Sequence, residues 1–257
     1  MQPVALTIAG SDPSGGAGLQ ADLKTFHRFG VYGEAVVTLI TVQNTRRVSR
    51  VEVLDPALIV EQIEAVLEDV PPQAAKTGAL GSCEVVEAVA RLAETFRFPL
   101  VVDPVMISKH GARLMQEDAV RALTRLLIPR AHLLMPNLEE ASALTGRKVE
   151  DREGMIVAAK ELTQMGAVNV LVKGGHLQGD ANDILYIGGV VHEFPAARIA
   201  TAHTHGSGCT YSAAVTAELA KGTLLATAVE RAKQFISRAI GTAPGLGGGN
   251  GPLNHQA

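Results

Sequence analysis

The sequence lacks the features of secreted and membrane proteins. It has two cysteines, Cys83 and Cys209, which are too few and too far apart for a disulfide framework. The N-terminus has no basic segment followed by a long apolar one, and no apolar run approaches the ~20 residues that a membrane span requires. We therefore expect a reduced protein of the cytoplasm that has no membrane partner.

The sequence also has little excess charge of either sign. Charged residues make up 19% of the chain and the formal net charge is −3, which gives no reason to expect nucleic-acid binding. Hydrophobic residues make up 47%, and the mean hydropathy is positive. This composition excludes a disordered chain and is sufficient for a sheet that is covered on both faces.

Short apolar segments alternate with longer amphipathic ones from end to end. Such alternation predicts an open, mainly parallel sheet whose strands are joined by right-handed helical crossovers. Segments 100–102 and 170–172 are apolar on both faces, which is typical of buried parallel strands. Strands are predicted at 4–9, 35–41, 74–77, 100–103, 132–135 and 168–173, with a hairpin at 184–187 and 190–194. Helices are predicted at 19–29, 56–68, 82–96, 117–127, 138–145, 153–165, 207–221 and 224–240.

Nothing in the sequence resembles a linker or a repeat that would divide the chain. We therefore expect a single domain over residues 1–243. The segment 244–257 contains five glycines, and we expect it to be a flexible tail.

A glycine-rich segment, 10–18, follows the first predicted strand and begins a helix. Residues 16–21 match the G-x-G-x-x-A pattern of dinucleotide-binding folds, but the second strand ends without the acidic residue that those folds use. The G-x-x-x-x-G-K-[ST] phosphate loop is also absent. The glycines permit close approach of the backbone to a small ligand, and a plain tight turn is the alternative.

Polar residues follow three further strands, and in open α/β sheets ligands bind at the carboxyl ends of strands. Gln43 either reads an aminopyrimidine edge through a donor and an acceptor or is an ordinary surface amide. Asp103 suits a metal or phosphate site, and equally an Asx-turn. Lys173 either reaches a phosphate as a point charge or extends to solvent beside a turn.

Asn137 and Glu140 have two compatible interpretations. Asn137 is a good N-cap, and Glu140 at the third helical position completes a capping box. The same side chains are chemically suited to a phosphate oxygen and to hydrated Mg²⁺, respectively. The sequence does not separate the two roles.

The strongest signal is the start of the helix predicted at 207–221. Gly206, Ser207 and Gly208 lead directly into it, so that successive N–H groups can converge on an anion. The same helix end is expected to lower the pKa of Cys209, although a buried cysteine often serves as a small hydrophobic residue. His203 and His205 have no third ligand nearby, and we interpret them as non-metal residues.

Together these motifs resemble the hydroxymethylpyrimidine/phosphomethylpyrimidine kinases of thiamine biosynthesis, in the ribokinase-like superfamily. The resemblance covers nearly the whole chain in order and spacing. It is carried by residues 9–18, 43, 103–106, 136–141, 172–176 and 205–210.

The resemblance implies a three-layer α/β fold, with a mainly parallel central sheet flanked by helices, and commonly a homodimer. It implies transfer of the γ-phosphate of ATP to 4-amino-5-hydroxymethyl-2-methylpyrimidine, with Mg²⁺ as a cofactor. The same site then phosphorylates the monophosphate to the diphosphate. Gly10, Asp22, Gln43 and Val105 match positions that hold the pyrimidine.

The other matched positions belong to phosphoryl transfer. Asp103, Asn137 and Glu140 match the Mg²⁺–phosphate region, and Lys173 matches a nucleotide contact. The matched segment 205–210 includes residues 206–209, whose N–H groups we predict to form a backbone anion hole. Cys209 stands where many ribokinase-like enzymes use an aspartate as the base.

The chain departs from the family pattern in two places. Ala79 stands where the family often has a methionine on the pyrimidine, and Ser207 replaces a frequent threonine. Ala79 widens the pocket and favours the alternative of a pyridoxal kinase on the same scaffold. A non-catalytic sensor of phosphorylated pyrimidine is a second alternative. The sequence leaves open whether residues 108–111 close over the site as a flap.

Overall fold

The structure is a computed structural model that describes residues 2–107, 111, 114–175, 177 and 179–257. Nine strands form one sheet within this part of the chain. The strands are β1 (Val4–Ser11), β2 (Tyr32–Gln43), β3 (Val48–Val53), β4 (Ala74–Thr77), β5 (Leu100–Val102), β6 (Leu133–Leu134), β7 (Val170–Val172), β8 (Asp183–Ile187) and β9 (Val190–Phe194). Their spatial order is β3-β2-β1-β4-β5-β6-β7-β8-β9.

The centre of the sheet is parallel and its two edges are antiparallel. Strands β2, β1, β4, β5, β6 and β7 pair in parallel with their neighbours. Strand β3 pairs antiparallel with β2, and β8 and β9 form the predicted hairpin beside β7. The prediction of a mainly parallel α/β sheet is confirmed. The carboxyl ends of the six central strands consequently share one edge of the sheet.

Helices cover both faces of the sheet. They are α1 (Gly18–Arg28), α2 (Pro56–Asp69), α3 (Cys83–Ala93), α4 (Glu117–Ala122), α5 (Leu138–Thr145), α6 (Arg152–Gln164), α7 (Ser207–Ala220) and α8 (Leu225–Gly241). One core cluster contains buried residues of α2 to α6, and the other contains those of α1, α7 and α8. Val102 belongs to the first cluster and Val101 to the second, as expected for a strand that is buried on both faces.

Helix α7 lies in the interior, and every residue from Thr210 to Ala220 is buried. Four alanines and a serine allow its backbone to approach the sheet closely. Its N-terminus therefore opens at the carboxyl edge of the sheet. None of the helices in the described ranges has both the length and the apolar composition of a membrane span.

Some element boundaries differ from the prediction. Strand β3 was not predicted, because its exposed Ser49, Arg50 and Glu52 resemble loop residues and it gains its hydrogen bonds only by pairing with β2. The helix predicted at 117–127 changes after Ala122 into a π-helical turn, Leu123–Leu127.

The end of the chain differs from the expected flexible tail. Leu253 is 2% exposed and lies in the core cluster with α7 and α8. His255 is also buried, and the N–H of Asn254 donates to the carbonyl of Ala239 at 3.0 Å. The glycines had suggested mobility, but apolar burial of Leu253 holds the segment against the protein.

Candidate functional site

A cavity of about 740 Å³ lies at the carboxyl edge of the sheet, in front of α7. It is lined by every residue that the sequence predicted for the site except Asp22. The predicted residues that line it are Gly10, Gln43, Asp103, Val105, Asn137, Glu140, Lys173, Gly206, Ser207, Gly208 and Cys209. Strand ends that are far apart in the sequence thus contribute to one site.

The start of α7 presents backbone donors to the cavity. Gly206 has a φ of 79°, and a Cβ there would overlap the carbonyl oxygen of Gly16. The N–H of Ser207 donates to the carbonyl of Thr204 at 3.2 Å, whereas those of Gly208 and Cys209 have no protein acceptor among the described residues. Because these donors lie at the positive end of the helix dipole, the arrangement is suited to an anion.

A lysine and two carboxylates face this helix start. Lys173 Nζ lies 2.7 Å from Asp103 Oδ1 and 4.0 Å from Glu140 Oε2. Ser212 Oγ donates to Asp103 Oδ2 at 3.1 Å. Burial alone would lower the pKa of Lys173, but Asp103 and Glu140 outweigh it and raise that pKa, so the ammonium is retained. A Cβ on Gly208 would lie 3.5 Å from Lys173 Nζ, which places the lysine beside the helix start.

The predicted capping box at α5 is present. Asn137 Oδ1 accepts from the N–H of Glu140 at 2.9 Å, and Glu140 Oε2 accepts from the N–H of Asn137 at 2.8 Å. The N–H of Lys173 donates to the carbonyl of Pro136 at 2.8 Å, which brings Asn137 beside Lys173. Burial raises the pKa of Glu140 to about 7, against the opposing charge of Lys173.

The expectation of a lowered pKa at Cys209 is wrong for this structure. Burial raises the pKa of its thiol to about 11, although the charge of Lys76 and the N–H of Gly18 act in the opposite direction. A helix terminus contributes only about 0.3–1 kcal/mol, which is less than the cost of desolvating a thiolate. Cys209 is therefore a neutral thiol at pH 7 in the absence of a ligand.

Asp22 is not among the residues that line the cavity, and the pyrimidine contact that the resemblance implies for it stays a prediction. Its side chain is fully buried, and both of its oxygens accept from Lys76 Nζ at 2.9 Å. Thr7 Oγ1 donates to Asp22 Oδ2 at 2.6 Å. Asp22 on α1 contacts Lys76 on β4, which is equally buried and needs a counter-charge.

Part of the cavity wall combines an amide with apolar side chains. Gln43 lies at the end of β2, and its side-chain amide makes no hydrogen bond to the described residues, so it is available to a ligand. Val105, Leu39 and Ala79 provide apolar walls. Gly10 leaves room for the side chain of Leu39, because a Cβ on Gly10 would lie 2.5 Å from Leu39 Cδ1.

Another part of the cavity contains residues that the sequence reasoning missed. Its apolar wall includes Ile199 of the loop before α7, together with Ile236 and Ile240 of α8. Arg198 in this loop donates to the carbonyls of Gly175 and Gly179 at 3.0 and 2.7 Å, and to that of Leu177. No local pattern in the sequence marks these residues, because the loop becomes a wall only when α8 packs behind it.

Two further residues of the cavity were not assigned a role. Asp12 and His205 line it and are joined to each other, with His205 Nε2 2.8 Å from Asp12 Oδ2. Asp12 belongs to the glycine-rich segment 10–18, but its contact with the distant His205 was not predictable from that segment. Residues 108–110, part of the segment for which flap closure was left open, lie outside the described residues, as does His176.

Comparisons with known proteins show the family of the chain. The family model described as phosphomethylpyrimidine kinase matches residues 12–254. The chain is 44% identical over 256 residues to the hydroxymethylpyrimidine/phosphomethylpyrimidine kinase of Bacillus subtilis, covering 98% of this chain and 94% of that protein. It is 48% identical over 252 residues to the thiamine biosynthesis bifunctional protein ThiED of Geobacter sulfurreducens, covering 97% of this chain. The chain spans only about half of that bifunctional protein, 51% of its length.

The fold has a close counterpart among solved structures. An ADP complex of Bacillus subtilis pyridoxal kinase superposes with a TM-score of 0.91 at 38% identity, covering 99% of this chain and 98% of that one. The family model and the curated relatives extend over nearly the whole chain, including the strand ends that form the cavity. The chain belongs to the phosphomethylpyrimidine kinase family.

Proposed function

We propose that this protein is an ATP-dependent kinase of thiamine biosynthesis that phosphorylates 4-amino-5-hydroxymethyl-2-methylpyrimidine and then its monophosphate. The observation that carries the proposal is a pair of N–H groups, those of Gly208 and Cys209, that have no acceptor among the described residues. Lys173 lies beside Gly208, and the same cavity has Gln43 in its wall. Membership of the kinase family supports the same reaction.

Phosphoryl transfer depends mainly on positioning and on neutralising charge, because the transition state spreads negative charge over the transferred oxygens. The compensating positive charge comes from the N–H groups of Gly208 and Cys209 and from the ammonium of Lys173, on one side of the cavity. These donors are fixed by α7 and by the ion pair with Asp103, so little reorganisation is needed during the reaction.

The nucleotide occupies the end of the cavity between the loop at Ile199 and helix α8. The apolar side chains of Ile199, Ile236 and Ile240 are suited to an adenine ring, and Lys173 and Asn137 lie toward the phosphates. The ADP bound to the similar pyridoxal kinase supports ATP as the phosphate donor.

The residues present also suit Mg²⁺ that is held largely through phosphate and water. The described residues contain no group of three or more metal-binding side chains, which fits an ion that binds one or two carboxylates and substrate phosphates rather than a protein cage. Asp103 and Glu140 would provide those carboxylates beside Lys173. When bound, the ion would neutralise charge on the β- and γ-phosphates.

The pyrimidine occupies the end of the cavity that is lined by Gln43 and Val105. The amide of Gln43 can donate to a ring nitrogen and accept from the 4-amino group. This orientation directs the 5-hydroxymethyl group toward Cys209 and the start of α7. In the transfer step its oxygen bonds to the γ-phosphorus, the bond from that phosphorus to the β–γ bridging oxygen breaks, and ADP leaves.

Cys209 accepts the hydroxyl proton in this proposal, which requires that its thiol, neutral at pH 7 without a ligand, ionises when the substrates bind. The thiolate would be stabilised by the charge of the buried Lys76 and by the N–H of Gly18, both of which already act on this sulfur. A Cys209→Ala variant is expected to lose about 100-fold in kcat, the typical contribution of a general base. Unchanged turnover by that variant would refute the base role and leave the anion hole untouched.

A pyridoxal kinase is the second candidate, and one observation favours it. Ala79 lines the ring end of the cavity and leaves more room there than the methionine of many family members. The structural similarity to a pyridoxal kinase fits the same alternative.

The deciding experiment compares the two alcohols in one assay. ADP release is measured by coupled spectrophotometry with the pyrimidine alcohol, with pyridoxal and with neither. We expect kcat/KM for the pyrimidine alcohol to exceed that for pyridoxal, and the monophosphate to be consumed in turn. A higher value for pyridoxal would reverse the assignment, and no turnover with either would favour a sensor.

We also propose that the protein is a cytoplasmic homodimer. Ile40 and Val42 are 48% and 55% exposed on the same face of β2, beside the edge strand β3. Exposed apolar side chains next to an unpaired edge are typical of an interface. Light scattering after size-exclusion chromatography tests this, with a monomeric mass as the contrary result.

A further inference from the structure

The end of the chain contacts His205, which lines the cavity. The N–H of His205 donates to the carbonyl of Gly251 at 3.1 Å, and His205 also forms a parallel bridge with Pro252. Beyond this point Leu253 is buried, and Arg28 Nε lies 3.1 Å from the carbonyl oxygen of Ala257. Residues 245–257, which we call the strap, therefore touch the segment that leads into the anion hole.

The glycines of the strap are sites of close contact. A Cβ on Gly249 would overlap the carbonyl oxygen of Thr45 and approach Arg46 Cα to 3.0 Å. A Cβ on Gly251 would overlap His203 Nδ1. Thr45 and Arg46 form the turn between β2 and β3, directly after Gln43, so the strap also packs on the ring end of the cavity. The absence of side chains allows this backbone-to-backbone approach.

Asp12 and His205 connect the strap to the first glycine-rich loop. The carboxylate of Asp12 is 2% exposed and accepts from the N–H groups of Ser14, Gly16 and Ala17 at 2.8, 3.2 and 2.8 Å. Its Oδ2 also lies 2.8 Å from His205 Nε2. One carboxylate thus fixes the loop at 12–17 to the residue that precedes Gly206.

A further contact lies inside α7. His255 Nε2 of the strap is 3.2 Å from Thr210 Oγ1, which follows Cys209. Burial lowers the pKa of His255 to about 4, so the imidazole is neutral and can share a hydrogen bond with this hydroxyl without carrying a charge next to the helix N-terminus.

We propose that the strap is a positioning element of the active site, which aligns the start of α7 with the ring end of the cavity through His205, Asp12 and the β2–β3 turn. The claim that this alignment serves phosphoryl transfer depends on the proposed function. The alignment itself does not, since it consists of contacts of the strap with His205, with Thr210 and with the β2–β3 turn. Effective transfer requires reacting atoms to be held to within about 1 Å, which gives such an element its effect on rate.

Two adjacent glycines provide a matched test. Gly249→Ala places a methyl group against the backbone of Thr45, whereas Gly248→Ala meets only the guanidinium end of Arg46, which can move. We expect Gly249→Ala to lower kcat about tenfold while Gly248→Ala stays within about twofold of the wild type. Circular dichroism and thermal unfolding of both variants show whether the fold is retained.

Amide hydrogen exchange, measured by mass spectrometry on peptides covering 204–210, gives a readout that does not need turnover. Gly249→Ala is expected to raise exchange in this segment about fivefold or more, with no change for Gly248→Ala. Unchanged exchange in Gly249→Ala, or equal changes in both variants, would overturn the proposal.

A second variant tests the proposal if Gly249→Ala does not fold. Asp12→Asn keeps the size of the side chain but removes the charge that binds His205, and it is expected to raise exchange at 204–210 and to lower kcat with little change in KM for the pyrimidine alcohol. Unchanged exchange in this variant would overturn the role of the Asp12–His205 contact. If the wild type phosphorylates neither alcohol, the proposed function fails, and the exchange data still decide whether the strap positions α7.

Discussion

Two lysine–aspartate pairs lie close to the start of α7, and they differ in their access to the cavity. Lys173 and Asp103 follow β7 and β5 and line the cavity, where the lysine side chain is 11% exposed. Lys76 and Asp22 are both 0% exposed and lie outside the cavity lining. The same two residue types therefore border the cavity in one place and are enclosed by protein in the other.

The difference follows from the position of each lysine relative to its strand. Lys173 comes directly after the last residue of β7, so its side chain leaves the sheet at the carboxyl edge. Lys76 lies within β4, where a side chain must point into one of the covered faces. A buried ammonium is tolerated only with a counter-charge and hydrogen bonds, which Asp22 provides and Thr7 supports.

Replacement of the cavity-facing lysine is expected to have the largest effect on catalysis. Lys173→Met should lower kcat about 100- to 1,000-fold, because in the proposed reaction it removes the charge beside the transferred phosphoryl group. Its unfolding free energy should fall by less than that of a Lys76 variant, since Asp103 keeps its bond to Ser212 and borders the cavity. ADP-release kinetics and urea unfolding measure the two effects. Near-normal kcat would remove Lys173 from the transfer step.

Replacement of Lys76, the lysine of the enclosed pair with Asp22, is expected to act mainly on stability. Lys76→Met leaves a fully buried Asp22 without its partner, which should lower the unfolding free energy by about 3–5 kcal/mol. The double variant Lys76→Met/Asp22→Leu should recover part of this loss, because it leaves no unpaired charge. Urea unfolding of both variants tests the prediction. Equal losses for Lys76→Met and Lys173→Met would abolish the distinction between the two pairs.

A side chain at Gly208 is expected to disturb only the cavity-facing pair. A Cβ there lies 3.5 Å from Lys173 Nζ and 3.7 Å from Asp103 Oδ2, so the larger side chain of Gly208→Val enters the space between the helix start and that pair. We expect kcat to fall about 100-fold, as for the loss of an oxyanion donor. Thermal unfolding should change little, because Gly208 has an ordinary backbone conformation. An unchanged kcat would contradict the anion hole.

The smallest expected effect is a shift in the titration of Cys209. The charge of Lys76 lowers the thiol pKa from the higher value that burial alone would give, and the balance is about 11. Lys76→Met should therefore raise this pKa further and slow alkylation by iodoacetamide at a given pH. Lys173→Met should slow it less. The rate is measured against pH in a Cys83→Ser background, since Cys83 is the other free thiol. A larger change in the Lys173 variant would mean that the enclosed pair does not act on Cys209.

Local signals in the sequence were sufficient for much of the site. The capping box of Asn137 and Glu140 spans four residues, and the glycine-rich start of α7 is equally compact. Such features are predictable because their energies come from neighbouring backbone groups. The order of strands and helices followed from periodicity for the same reason, and it placed Gln43, Asp103 and Lys173 at one edge of the sheet.

The features that were missed or mistaken depend on distant partners. Asp22 and Lys76 are 54 residues apart, and Asp12 and His205 are 193 residues apart. Strand β3 exists because β2 lies beside it, since its own sequence is exposed and polar. The strap has the glycine-rich composition of a flexible linker. Only the position of the Thr45 backbone shows that its glycines are needed for close packing.

The sequence by itself determined the fold class, the positions of the strand ends and the donors at the start of α7. These depend on hydrophobic periodicity and on interactions within a few residues, which the chain specifies locally. The tertiary structure decided the protonation of Cys209, the burial of Asp22 and the packing of the strap. Each of these depends on how much water is excluded and on which charge lies opposite, and both are fixed only when distant segments come together.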